Sequence, residues 1–76
     1  MFEELDTVVL THNVDDHGLK AGDMGAIVNI YKNGEAYEVE FVTASGDTVV
    51  LLTLVQKDIS PVAKNEILHV RGFATQ

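Results

Sequence analysis

The chain has 76 residues, 46% hydrophobic and 22% charged, which suffices for one small globular domain, excludes a multi-domain enzyme and lies outside the compositional range of disordered chains. Five Lys and Arg against twelve Asp and Glu give a net charge of −7, a field that repels phosphate backbones and anionic lipid heads. The absence of cysteine excludes disulfide staples, thiolate metal sites and Cys nucleophiles, and it fits a reducing compartment.

Twenty-one residues are Val, Ile or Thr, types that lose rotamer freedom in helices and pack well on pleated surfaces, so the chain leans to β. Leu5 to Thr11 (LDTVVLT) reads as a first strand, followed by a polar loop over Val14 to Lys20. Ala21-Gly22-Asp23-Met24-Gly25 is turn chemistry, with both glycines letting the chain reverse, and Ala26 to Tyr31 is the second strand. Asn33-Gly34 marks a hairpin, because both residues tolerate the positive φ of a type I′ turn.

Ala36 to Val42 alternates cleanly, with Tyr37, Val39 and Phe41 on one face and Glu38 and Glu40 on the other. After the turn Ala44 to Asp47, the octet Thr48 to Val55 (TVVLLTLV) is apolar on both faces: Val49, Leu51 and Val55 against Val50, Leu52 and Leu54. Its length and β-branched content favour a strand over a helix. A 3₁₀ turn fits Val55 to Asp58, and Ile59-Ser60-Pro61-Val62 fits a fifth strand, placed at an edge by its proline.

Residues 63–76 form a C-terminal tail in which Glu66 to Val70 reads equally as a sixth strand or a short helix. The expected organisation is an all-β, SH3-like five-stranded bent sheet or barrel over residues 1–62, followed by that tail. The expected core is Val8, Leu10, Val28, Val39, Phe41, Leu51 and Ile59, with Ile27 and Tyr31 facing outward.

The segments LDTVVL (Leu5 to Leu10), HGLKAGDMGAIV (His17 to Val28), AYEVEF (Ala36 to Phe41) and VVLLTL (Val49 to Leu54) resemble a family of short, uncharacterised bacterial proteins catalogued as a domain of unknown function. That resemblance implies a small β-barrel and names no activity. The stretch Leu19 to Gly25 is loosely similar to SH3-like barrels of ribosomal and transcription-factor modules and of nitrile hydratase β-subunits. Nucleic-acid-binding barrels need a basic, aromatic face; Lys20, Lys32, Lys57, Lys64 and Arg71 are scattered and outnumbered by acids.

Chemistry-bearing residues are sparse. His12 and His17 with Asp15 and Asp16 supply nitrogen and oxygen donors, but their spacing matches no closed metal motif, and His69 reads as a surface or interface residue. Glu38 and Glu40 share one face of a strand about 7 Å apart, a pattern that keeps a half-buried strand wet on one side. Ser45 and Ser60 lie outside any nucleophile elbow, and Gly22 to Gly25 lacks the lysine and helix of a phosphate loop. No enzyme activity, metal or cofactor is expected.

The N-terminus, Met-Phe-Glu-Glu-Leu-Asp, has no basic or apolar signal region, and the longest charge-free run, Thr48 to Gln56, is far below the roughly 18 apolar residues of a membrane helix. The expectation is a cytoplasmic, non-catalytic protein-interaction module, self-associating or bound to a protein partner, with no nucleic acid and no membrane. It would act as the acidic partner or neutraliser, antitoxin-like, of a neighbouring protein. The alternatives are an accessory barrel of a multi-subunit enzyme and, further off, a nucleic-acid-binding barrel. The expected contact residues are Val49, Val50, Leu52 and Leu54 on the fourth strand and Ile67, Leu68 and Val70 in the tail.

Overall fold

The computed structural model describes residues 2–62 and Ile67. Five strands, β1 (Thr7–Leu10), β2 (Met24–Tyr31), β3 (Ala36–Val42), β4 (Thr48–Leu54) and β5 (Ile59–Pro61), form one antiparallel sheet in the order β4-β3-β2-β1-β5. Two 3₁₀ turns, η1 (Asp15–His17) and η2 (Gln56–Asp58), lie in the connections.

The sheet is bent. In a flat layer with strands about 4.8 Å apart, β4 and β5 would lie about 19 Å from each other. Yet only Val55 and the three-residue η2 join them, and a 3₁₀ turn advances about 2 Å per residue. The edges curl toward one another, so Leu54 of β4 and Ile59 of β5 enter one core with Val8, Leu10, Ile27, Tyr37, Val39 and Phe41. Among the described residues the sheet does not close, and β4 and β5 are its two edges.

Two irregularities set which side chains enter that core. The β2–β3 register shifts between Ile27 and Asn29, which leaves Val28 as an extra residue on β2. A bulge reverses the inward parity of a strand. Gly25 and Ile27 therefore point inward before it, while Ile30, opposite the buried Tyr37, packs against the core after it. The expectation for this strand is corrected: Ile27 is fully buried and Val28 is 38% exposed. On β4, Val50, Leu52 and Leu54 stand opposite Phe41, Val39 and Tyr37, so these three are inward and Leu51, expected in the core, is 48% exposed. The β3–β4 register shifts between Phe41 and Val42, which leaves Val49 as an extra residue that packs against the core.

The early loop contributes more than its polarity suggests. Val14 and Leu19 bridge across η1, and Leu19 is buried in the core at 3% exposure. Strand β1 is shorter than expected because Leu5 adopts φ +72° and donates its N–H to Ile27 O, while Asp6 takes the Glu3 N–H on its carboxylate. The β2–β3 turn is displaced by one residue from its expected centre. Lys32 (φ +47°) and Asn33 (φ +59°) take the positive-φ positions, and Gly34 (φ +106°) closes the turn with its N–H on Tyr31 O. The tail's expected strand or helix over Glu66 to Val70 lies outside the described residues, Ile67 excepted.

Candidate functional site

With one sheet face committed to the core, the other is open among the described residues. It displays Met24, Val28 and Tyr31 from β2, Val42 from β3, Leu51 from β4 and Val55 just beyond it, all between 38% and 49% exposed. Two rows across the strands carry the acids: Ala26, Glu40 and Leu51 are register partners, and so are Asn29, Glu38 and Thr53. Tyr31 donates its hydroxyl to Glu38 Oε1 at 2.7 Å, and Thr48 donates to Glu40 Oε2 at 2.7 Å. These bonds hold the two carboxylates in place. The Glu38 carboxylate, by accepting the phenol proton, raises the Tyr31 pKa above its ordinary value.

No lysine or arginine lies on any of the five strands. Lys20 sits in the β1–β2 loop, Lys32 in the β2–β3 turn and Lys57 in η2. The open face is therefore apolar with two carboxylates at its middle and no cation among its strand residues.

The edges differ sharply. Strand β5 is three residues long and ends in Pro61, whose ring removes a donor. Strand β4 has seven residues with no proline, glycine or charge, and pairs only with β3 among the described residues. Long uncharged edges of this kind are templates for another strand.

The expected contact set is redistributed accordingly. Leu54 is a core residue at 8% exposure, and Val49, Val50 and Leu52 are half-buried against the core. The apolar residues that β4 and its end leave accessible are Leu51 and Val55. Ile67 is 98% exposed, and Leu68 and Val70 lie outside the described residues. Sequence reasoning missed Met24, Val28 and Val42 as surface residues. Alternation through β3 would have flagged Val42, whereas Val28 is exposed by a bulge that leaves no mark in composition.

The histidine and aspartate candidates separate in space. His12 Nε2 lies 2.7 Å from Asp58 Oδ1, and its Nδ1 lies 2.9 Å from Asn13 O. Both ring nitrogens face acceptors, so the protonated ring alone donates twice, and the Asp58 hydrogen bond followed by that to Asn13 raises the His12 pKa above 6.5. Asp58 also closes η2 by accepting the Val55 N–H at 3.0 Å. Partial burial pushes its carboxyl pKa up, but the Val55 and His12 hydrogen bonds outweigh it and hold the carboxyl below 3.8. Asp15, Asp16 and His17 are exposed in η1. Among the described residues no group of three or more His, Cys, Asp and Glu is placed to hold a metal ion. Ser45 is held by hydrogen bonds with Thr43 and Asp47 in the β3–β4 turn, and Ser60 is opposite Val9 in β5.

This pair joins the end of β1 to η2, assisted by Thr11, whose N–H reaches Asp58 O and whose hydroxyl reaches Lys57 O. The His12 contribution to stability is present below its unfolded pKa of about 6.5 and lost as pH rises through the raised folded value. The Asp58 contribution is present above about 3.9 and lost as pH falls through the lowered folded value. His12→Ala is therefore expected to lower the melting temperature most near pH 5 and least near pH 8. Melting curves at both pH values check this, and an equal loss at both would contradict it.

The sequence matches, over residues 4–61, the family described as domain of unknown function DUF4926. The chain belongs to this family. The DUF4926 span starts ahead of β1 and ends on Pro61, the last residue of β5, so the family unit coincides with the bent sheet. No curated protein and no solved structure matches the DUF4926 chain.

Proposed function

We propose that this DUF4926 chain is a non-catalytic, cytoplasmic interaction module with an SH3-like architecture, acting as the acidic partner or neutraliser of a cationic protein. The observation that carries this reading is the open sheet face, where Glu38 and Glu40 stand among Met24, Val28, Tyr31, Val42 and Leu51 with no lysine or arginine on the five strands. Exposed apolar surface supplies contact area, and the carboxylates select basic side chains and reject acidic ones. Glu38 Oε2 and Glu40 Oε1 accept no side-chain hydrogen bond within the described residues, so each carboxylate keeps an oxygen for a partner's lysine or arginine. The SH3-like reading is supported by the sheet order, in which β5 returns beside β1 after a 3₁₀ turn. The non-catalytic reading is supported by the structural engagement of His12, Glu38, Glu40 and Ser45 in local hydrogen bonds.

Affinity capture with the full chain as bait, read by mass spectrometry, tests the proposal. The expected result is a basic partner whose retention falls at least tenfold in Glu38→Lys/Glu40→Lys and weakens with added salt, as screened charge pairs do. Capture that is indifferent to both would sink it. The partner's identity separates a neutralised protein from an enzyme subunit. The same −7 charge leads to an expected absence of nucleic-acid binding. A gel shift at about 10⁻⁸ M, the range of specific complexes, would contradict that expectation.

A further inference from the structure

We propose that two copies of this chain associate by antiparallel pairing of their β4 edges, forming one continuous ten-stranded sheet around a two-fold axis at Leu51. Three observations select both the surface and the occupant. The outward N–H and C=O groups of β4 run along a seven-residue edge that pairs with β3 alone among the described residues, and such a row is a template for another extended strand. The opposite edge, β5, is blunted by its length and by Pro61.

Charge then restricts how two like copies meet. Each carries −7, and contact between open faces would set Glu38 and Glu40 against their own copies. Thr48 to Gln56 contains no charged residue, so the β4 edge joins two acidic chains without opposing carboxylates along the paired strands.

Finally, an antiparallel two-fold at Leu51 is self-consistent on both faces. It sets Leu51 beside its own copy on the open side, and Val50 beside Leu52 twice on the core side. Val50 and Leu52 are only half-buried because the core layer stops at β4. A second β4 continues that layer, covering on each chain the two side chains that the monomer leaves partly wet. Isologous pairing of this kind closes at two copies and leaves no β4 edge for further growth.

Of the open-face residues proposed to meet a cationic partner the interface uses Leu51 alone, and partner capture is read through Glu38 and Glu40, so either contact can fail without the other. The test is sedimentation equilibrium of the full chain over a micromolar to millimolar range, with circular dichroism confirming that each variant is folded. The expected result is a reversible dimer. Because the two-fold places residue 51 opposite itself, Leu51→Lys alone and Leu51→Glu alone should each weaken dimerisation at least tenfold, and mixing the two should restore it as a heterodimer. A folded full chain that stays monomeric throughout overturns the proposal. So does a dimer that keeps its affinity in Leu51→Lys but loses it in Ile67→Lys, which would place the contact after residue 62. Folded single variants that fail to pair when mixed overturn the register.

Discussion

Phe41→Ala is expected to lower the free energy of unfolding by about 3 to 5 kcal/mol, the usual cost of removing a buried phenylalanine and leaving a cavity. Phe41 is 2% exposed on the central part of β3, opposite Val50, in the same core as Tyr37 and Val39. Refilling that space would require rearranging both neighbouring strands, because β3 is hydrogen-bonded to β2 and to β4. Small domains are stable by only about 5 to 15 kcal/mol, and this one has no disulfide to limit its unfolded state, so the loss removes a large part of the total. Urea denaturation checks this through a lower midpoint at unchanged slope. A loss below about 1 kcal/mol, typical of surface changes, would mean the ring is not in the core.

Gly25→Ala is expected to destabilise by about 1 to 3 kcal/mol, the range for forcing extra atoms into a packed interior. A Cβ built at Gly25 meets Val39 Cγ1 at 2.8 Å, Glu40 O at 2.9 Å and Phe41 Cε1 at 2.9 Å. The glutamate oxygen is backbone in the adjacent strand, so relief demands that β2 and β3 part, weakening the pairing that also seats Glu40 on the open face. Thermal melting of Gly25→Ala measures the effect, and an unchanged or raised midpoint would contradict the close approach. The substitution also separates two reasons for a glycine. Gly22, at φ +93°, sits in the turn that the sequence predicts, whereas Gly25 lies within β2, where the β2–β3 contact leaves no room for a side chain.

The all-β class, the turns, the order of five strands along the chain and the inward set on β3 follow from the sequence. Tyr37, Val39 and Phe41 alternate with glutamates, and that period admits one inward face only. Much of the core is legible as well, since Val8, Leu10 and Ile59 are buried in the short strands where the sequence places them. The acidity of the open face follows too, since Glu38 and Glu40 have nowhere else to point.

Only the tertiary structure decides the rest. The inward face of β4 is set by its register on β3, since both of its faces are apolar and the pattern alone gives no preference. Val28 is exposed because a bulge reverses parity midway along β2, a pairing event between segments that local composition does not encode. Leu19 is buried because Val14 and Leu19 bridge across the polar loop and turn it inward. The different character of the two edges likewise depends on sheet order, because a strand becomes an edge only through which neighbours pair and which do not.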